Sequence, residues 1–188
     1  MVKRANRNRS ITANILIKVS RVMLPFYKAI AHSPKYAARW SKAVKSADLA
    51  QMQKILRLVA PSASKELGSN GIGYFISFSL PQSNAYFTNG TTIPPGSVQF
   101  LFETRVHRSI ARSVLPLYRK MATSRSFALA LAKSIRQRDT KAVNRMIRLH
   151  ISTPALKSVS IENSGYALLF DYKFSKYQYR NLLFREFD

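Results

Sequence analysis

The sequence predicts an α+β fold made of two tandem modules, each two or three helices followed by a β-hairpin. Three observations carry that expectation. The stretch from Met23 to Leu58 aligns without gaps onto Val114 to Leu149 at an offset of 91, and 10 of 36 positions are identical, where average residue usage would give about two or three. Within each copy, apolar residues first recur near every 3.6 positions and then alternate. Pro61 and Pro154 stand where that period changes, which is where a helix should already have ended.

The segments Ala13 to Met23 and Arg105 to Val114 read as helical, so Pro25 and Pro116 either kink a long helix or start a new one. Ser33-Pro34 pairs an N-cap with the residue favoured at the first helical position. The helix that follows carries Tyr36, Trp40 and Val44 on one side and Lys35, Arg39 and Lys42 on the other. Asp48 and Asp139 precede the next periodic runs as N-caps. Gln51 completes a capping-box pattern in the first copy, whereas Ala142 leaves only the cap in the second. Met52, Ile55, Leu56 and Val59, and then Val143, Met146 and Ile147, give these helices one apolar face each.

Beyond the prolines, Ser69-Asn70-Gly71 supplies a turn and Tyr74, Ile76 and Phe78 one strand face. In the second copy Val159 and Ile161 alternate with Ser158 and Ser160. A turn at Asn163-Ser164-Gly165 leads into Tyr166, Leu168, Phe170, Tyr172 and Phe174. A lone hairpin is marginal in water, so each is expected to pack on its own helices, with pairing to the other copy, within one chain or between chains, left open. Residues 82–97, with Asn89-Gly90 and Pro94-Pro95-Gly96, read as a linker or small extra hairpin between a first module at 1–81 and a second at 98–188. The tail from Ser175 to Asp188 is rich in Tyr, Leu and Phe and is expected to dock on the core.

The 188 residues are 46% hydrophobic and 11% aromatic, enough to build a packed core. The absence of Cys removes disulfides, thiolate metal sites and Cys nucleophiles. Eight acidic residues give carboxylate cages and acid/base pairs little material. No Walker loop, dinucleotide fingerprint, zincin motif or nucleophile elbow occurs. His32, His107 and His150 stand isolated. The expectation is a non-enzymatic protein with no catalytic residue, no cofactor and no metal. The run Ser10 to Ile17 is cut short by Lys18, too early for a transmembrane segment, and the expected location is intracellular.

Lys and Arg total 31 against 8 acidic residues, a net charge of +23. Residues 1–59 hold 13 basic groups and one acid, and residues 105–150 hold 12 and one. The excess therefore belongs to the helical part of each copy. Such helices forgo the i, i+4 ion pairs that a solvated helix normally uses, and a polyanion that releases counterions would offset their repulsion. The candidate polyanion-binding residues are Lys35, Arg39, Lys42, Lys45, Lys54 and Arg57 in the first copy. In the second they are Arg125, Lys133, Arg136, Arg145 and Arg148, and Lys3, Arg4, Arg7 and Arg9 form an N-terminal basic arm. Tyr27, Tyr36, Trp40 and Tyr118 have the spacing of core residues rather than of base-stacking platforms. Binding is thus expected to be backbone-directed.

Ser124 to Phe127, Ala132 to Asp139, Val143 to Ile147 and the turn into Gly165-Tyr166 resemble the small basic YuzC-like proteins of endospore-forming Bacillales. The first copy follows the same outline through Ser33 to Tyr36, Ala43 to Asp48 and Gly71 to Ile76. The resemblance implies a sporulation-associated structural protein without enzymatic activity, in the spore core or coat. The partner expected is then a polyanion, either nucleic acid or an acidic spore component. Two alternatives stay open: a ribosome-associated or other non-sequence-specific RNA/DNA-binding protein, and a homo-oligomer assembled through hairpin edges and the aromatic tail.

Overall fold

A computed structural model describes residues 10–63, 65–80 and 83–186. The first half runs α1 (Ala13–His32), α2 (Pro34–Lys45), α3 (Leu49–Arg57), a 3-10 turn (Pro61–Ala63), β1 (Leu67–Ser69), β2 (Gly73–Leu80) and β3 (Ser83–Thr92). The second half runs α4 (Thr104–Thr123), α5 (Arg125–Arg136), α6 (Thr140–Arg148), β4 (Leu156–Glu162), β5 (Gly165–Phe170) and β6 (Tyr179–Arg185). The class is α+β. Helices of 20, 12 and 9 residues occur in that order in each half.

Short polar side chains set the helix starts by replacing missing backbone partners. Ser33 and Ser124 accept from the amides of Tyr36 and Phe127, and Asp48 and Asp139 accept from those of Gln51 and Ala142. The capping box does not close, because the Asp48 amide donates to the Ala43 carbonyl. Pro25 and Pro116 lie inside α1 and α4 rather than at a start.

All six strands form one antiparallel sheet in the order β1-β2-β3-β6-β5-β4. Each half contributes three strands, one more than the expected hairpin. The segment read as a linker or small extra hairpin holds β3, which pairs with β2, and Asn89-Gly90 sits in mid-strand, not at a turn. The aromatic tail does dock, as β6, a central strand. The halves join where β3 and β6 pair Thr91 with Asn181, Gly90 with Leu182 and Asn89 with Leu183. A two-fold rotation about an axis through the Gly90–Leu182 pair, normal to the sheet, interchanges the strand order. Gly90 is required there, since a Cβ would stand 2.2 Å from the Tyr74 carbonyl oxygen.

The helices cover one face of the sheet. α1 and α4 pack against each other in antiparallel fashion over the central strands. The Arg21 Nε donates to the Ala122 carbonyl, and an Arg108 Nη to that of Ala31, so each helix C-terminus receives a guanidinium from the other helix. Trp40 of α2 packs edge-on to Phe26 and to Tyr74 of β2, with ring centroids 4.7 and 5.1 Å apart. α6 lies along β4, where Arg148 donates to the Leu156 and Lys157 carbonyls.

At the centre of the core, four fully buried side chains close a ring. The Tyr27 hydroxyl donates to Asn89 Oδ1 (2.8 Å), and Asn89 Nδ2 donates to the Tyr118 hydroxyl (2.6 Å). The Tyr118 hydroxyl donates to Asn181 Oδ1 (3.3 Å), and Asn181 Nδ2 donates back to the Tyr27 hydroxyl (2.8 Å). The same amides reach carbonyls of the facing strand, Asn89 to Leu182 and Asn181 to Gly90. Asn181 also donates to Thr91, which accepts from Tyr74, whose hydroxyl meets His107 Nε2 at 3.0 Å.

Tyr27→Phe or Tyr118→Phe removes a hydroxyl that both donates and accepts, and each is expected to cost about 1–3 kcal/mol. The double variant should lose less than the sum, because the first change already opens the ring; urea denaturation of the four proteins reads both effects. At the β4–β5 turn Asn163 and Ser164 hold φ of 43° and 59°, a geometry that favours Asn-Gly. Ser164→Gly is therefore expected to raise stability by about 1 kcal/mol.

Candidate polyanion interface

The six α-helices among the described residues contain 20 Lys and Arg residues and no Asp or Glu. Nineteen of these are exposed and Arg108 is half-buried. The acids nearest to the helices serve geometry instead. Asp48 and Asp139 turn onto helix N-termini, and Glu103 accepts from the Ser175 and Tyr179 hydroxyls. Among the described residues one ion pair is found, Arg180 with Glu162, and it lies on the sheet.

All eleven cations expected on α2, α3, α5 and α6 are exposed, but they divide into two groups. Arg125 donates to Asn14 Oδ1, Arg136 to the Ile11 carbonyl, and Arg148 to Asn144 as well as to Leu156 and Lys157. These three fasten neighbouring segments. Lys35, Arg39, Lys42, Lys45, Lys54, Arg57, Lys133 and Arg145 are exposed and make no hydrogen bond or ion pair among the described residues. Part of the pattern has a local cause, since Lys42, Lys45, Lys54, Arg57, Lys133, Arg136, Arg145 and Arg148 occupy last turns, where a cation complements the helix dipole by about 0.3–1 kcal/mol. The arm residues Lys3, Arg4, Arg7 and Arg9 lie outside the described residues.

The long helices add cations that the sequence reading passed over. Lys18, Arg21 and Lys28 on α1 and Arg105, Arg112, Arg119 and Lys120 on α4 are exposed. They stand between the α2 and α5 sets, because α1 and α4 each pack against both shorter helices. Their position at polar sites of an amphipathic period was the available signal. Lys18, Arg21 and Arg125, drawn from both halves, line a groove of about 530 Å³ floored by Ile17, Val22 and Ala122. A second groove of about 370 Å³ joins Arg136 and Arg138 to the Asn163-Ser164 turn.

The aromatic residues weighed for stacking are withdrawn from this surface. Tyr27, Trp40 and Tyr118 are fully buried, and Tyr36 is half-buried with its hydroxyl on the Ile55 carbonyl. His32 is exposed, and His150 packs edge-on to Phe127. Among the described residues no three His, Cys, Asp or Glu side chains come together as metal ligands, and no helix is long and apolar enough to cross a membrane.

His107 is fully enclosed by Phe26, Tyr74 and Phe102, and burial lowers its pKa from 6.5 to about 3. It stays neutral in the folded chain while the unfolded chain takes up a proton below pH 6.5. Stability is therefore lost as pH falls from 6.5 towards 3, by about 1.4 kcal/mol per unit from this group. Urea midpoints measured across that window should show the gap between the wild type and His107→Gln shifting against the wild type.

Comparison with protein-family models, with characterised proteins and with solved structures finds no match to this chain; the likeness to YuzC-like proteins rests on the motifs quoted above.

Proposed function

We propose that this chain is a non-enzymatic, strongly basic binding or assembly protein that engages a polyanion through the outer face of its helix layer. The observation that carries the proposal is the layer's composition: 20 cations and no acid on six helices that share one face of a sheet. Lys and Arg crowded on one surface repel each other, and mixed-sign pairs would have removed the repulsion at no cost to the apolar stripe. A linear polyanion neutralises many of them at once and releases its own counterions, which is the dominant source of non-specific nucleic-acid affinity.

Backbone contact is favoured over base readout, because Tyr27, Trp40 and Tyr118 of the helix layer are buried and its exposed donors are flexible Lys and Arg side chains. In the setting implied by the YuzC-like resemblance, the polyanion is nucleic acid or an acidic spore component.

Titration with duplex DNA, single-stranded RNA and an acidic polypeptide at several salt concentrations tests the proposal. Binding should weaken as salt rises, with a log–log slope of about −0.9 per phosphate neutralised on duplex DNA. Arg39→Gln, Lys42→Gln and Arg145→Gln should each reduce that slope by about 1 while changing stability by no more than about 1 kcal/mol. Arg148→Gln should in addition cost about 1 kcal/mol of stability through its lost backbone bonds. No binding at low salt, or binding indifferent to salt, overturns the proposal.

A further inference from the structure

The face of the sheet turned away from the helices has a different character. In register across five strands it carries Phe75, Gly90, Leu182, Ala167 and Ser160; Gly90, Leu182 and Ala167 are buried among their neighbours, and Phe75 and Ser160 are half-exposed. Phe184 and Leu169 flank this row and are half-exposed. Gly90 and Ala167 keep the centre flat. The polar groups around it are already answered within the face. Glu186 accepts from Ser77 and Thr88, and Glu162 accepts from Ser160 and pairs with Arg180.

We infer that this face is a homodimer interface on which a second copy of the chain stacks, sheet against sheet. Charge selects the occupant. Each copy carries +23, nearly all of it on the helices, so the sheet face is the broad surface on which two copies can meet without opposing their cations. Sheets stack about 10 Å apart and a helix layer adds about 10 Å on each side. The two cationic layers then lie about 30 Å apart, roughly three Debye lengths or more at physiological salt. A nucleic acid or an anionic membrane is disfavoured as the occupant, because Arg180, the cation among the described residues of the central strands on this face, is held by Glu162.

Size agrees with a modest dimer. Six strands about 4.8 Å apart and about six residues long give a face of roughly 500–600 Å² per copy. The total of about 1,000–1,200 Å² lies at the threshold for a specific interface. The sheet edges, in contrast, are blunted. β1 has three residues, and β4 carries a register shift between Leu156 and Ser158 with Lys157 exposed beside it, two devices that discourage edge pairing.

Sedimentation velocity of the full chain, freed of nucleic acid, tests the inference over a range of protein and salt concentrations. The mass should double with protein concentration, and the dimer should tighten as salt rises, opposite in sign to polyanion binding, so the two ideas fail separately. Leu169→Glu and Phe184→Glu should each weaken the dimer at least tenfold with the far-ultraviolet circular dichroism unchanged. Because the chain has no Cys, a spin label at Ser79→Cys on the sheet face should report an intermolecular distance that a label at Ser126→Cys on the helix layer does not. A monomer under all conditions, a dimer that dissolves as salt rises, a dimer untouched by both substitutions, or a short distance from Ser126→Cys alone overturns it.

Discussion

The closed ring of Tyr27, Asn89, Tyr118 and Asn181 is the constraint on which the rest of the structure depends. Each half supplies one tyrosine from its long helix and one asparagine from its inner strand. Neither half can satisfy its own pair, because the Asn89 amide needs Tyr118 and the Asn181 amide needs Tyr27. An amide donor buried without its partner costs about 1–3 kcal/mol, and the two that cross between the halves make their separation unfavourable beyond the loss of apolar contact. The ring also sets register. Sliding β3 past β6 by one residue would turn Asn89 to the opposite face and break its bonds to both tyrosines.

A second consequence is sidedness. Once the inner strands pair, both sets of helices must lie on the same face, since Tyr27 and Tyr118 reach the ring from the same side of the sheet. Cations distributed over six amphipathic helices thereby become one layer, and the near-neutral strands become its reverse. The few acids reinforce the separation. Asp48 and Asp139 cap helix starts, while Glu162 and Glu186 serve the opposite face of the sheet. Pairing Asp48 or Asp139 with a neighbouring Lys would leave a helix N-terminus without its cap.

The helices were legible because period and cap agree at each one. Ser33-Pro34, Ser124, Asp48 and Asp139 announce starts in residues that must be short and polar, and Trp40 and Tyr118 fall on the buried stripe. The β1–β2 and β4–β5 pairs were legible from alternation and turn chemistry. β3 was not. Ser-Asn-Ala-Tyr-Phe-Thr-Asn-Gly-Thr-Thr reads as loop by local propensity, and its Asn-Gly is a strong turn signal. Its place in the centre makes sense only when tyrosines far away in sequence satisfy Asn89 and Phe75 and Leu182 lie beside Gly90. The cationic surface was legible as exposed residues. Which cations are tied to backbone, as Arg136 is to Ile11, is a tertiary fact with no local sign.

The core's titratable groups show where the chemistry of this chain does not lie. His107, Tyr74, Tyr27 and Tyr118 form a connected polar path with Thr91 and the two asparagines, every member fully buried. Burial pushes the three phenols above their ordinary value and the imidazole below it. All four are therefore uncharged across the neutral range, which is the state a dry core requires. A protonated His107 would place a bare cation among Phe26, Tyr74 and Phe102 beneath a layer that is already strongly positive, with no carboxylate beside it. The interior can thus hold a long polar network only in neutral form. The charge of this chain is carried instead on its helix layer, opposite a nearly neutral sheet face.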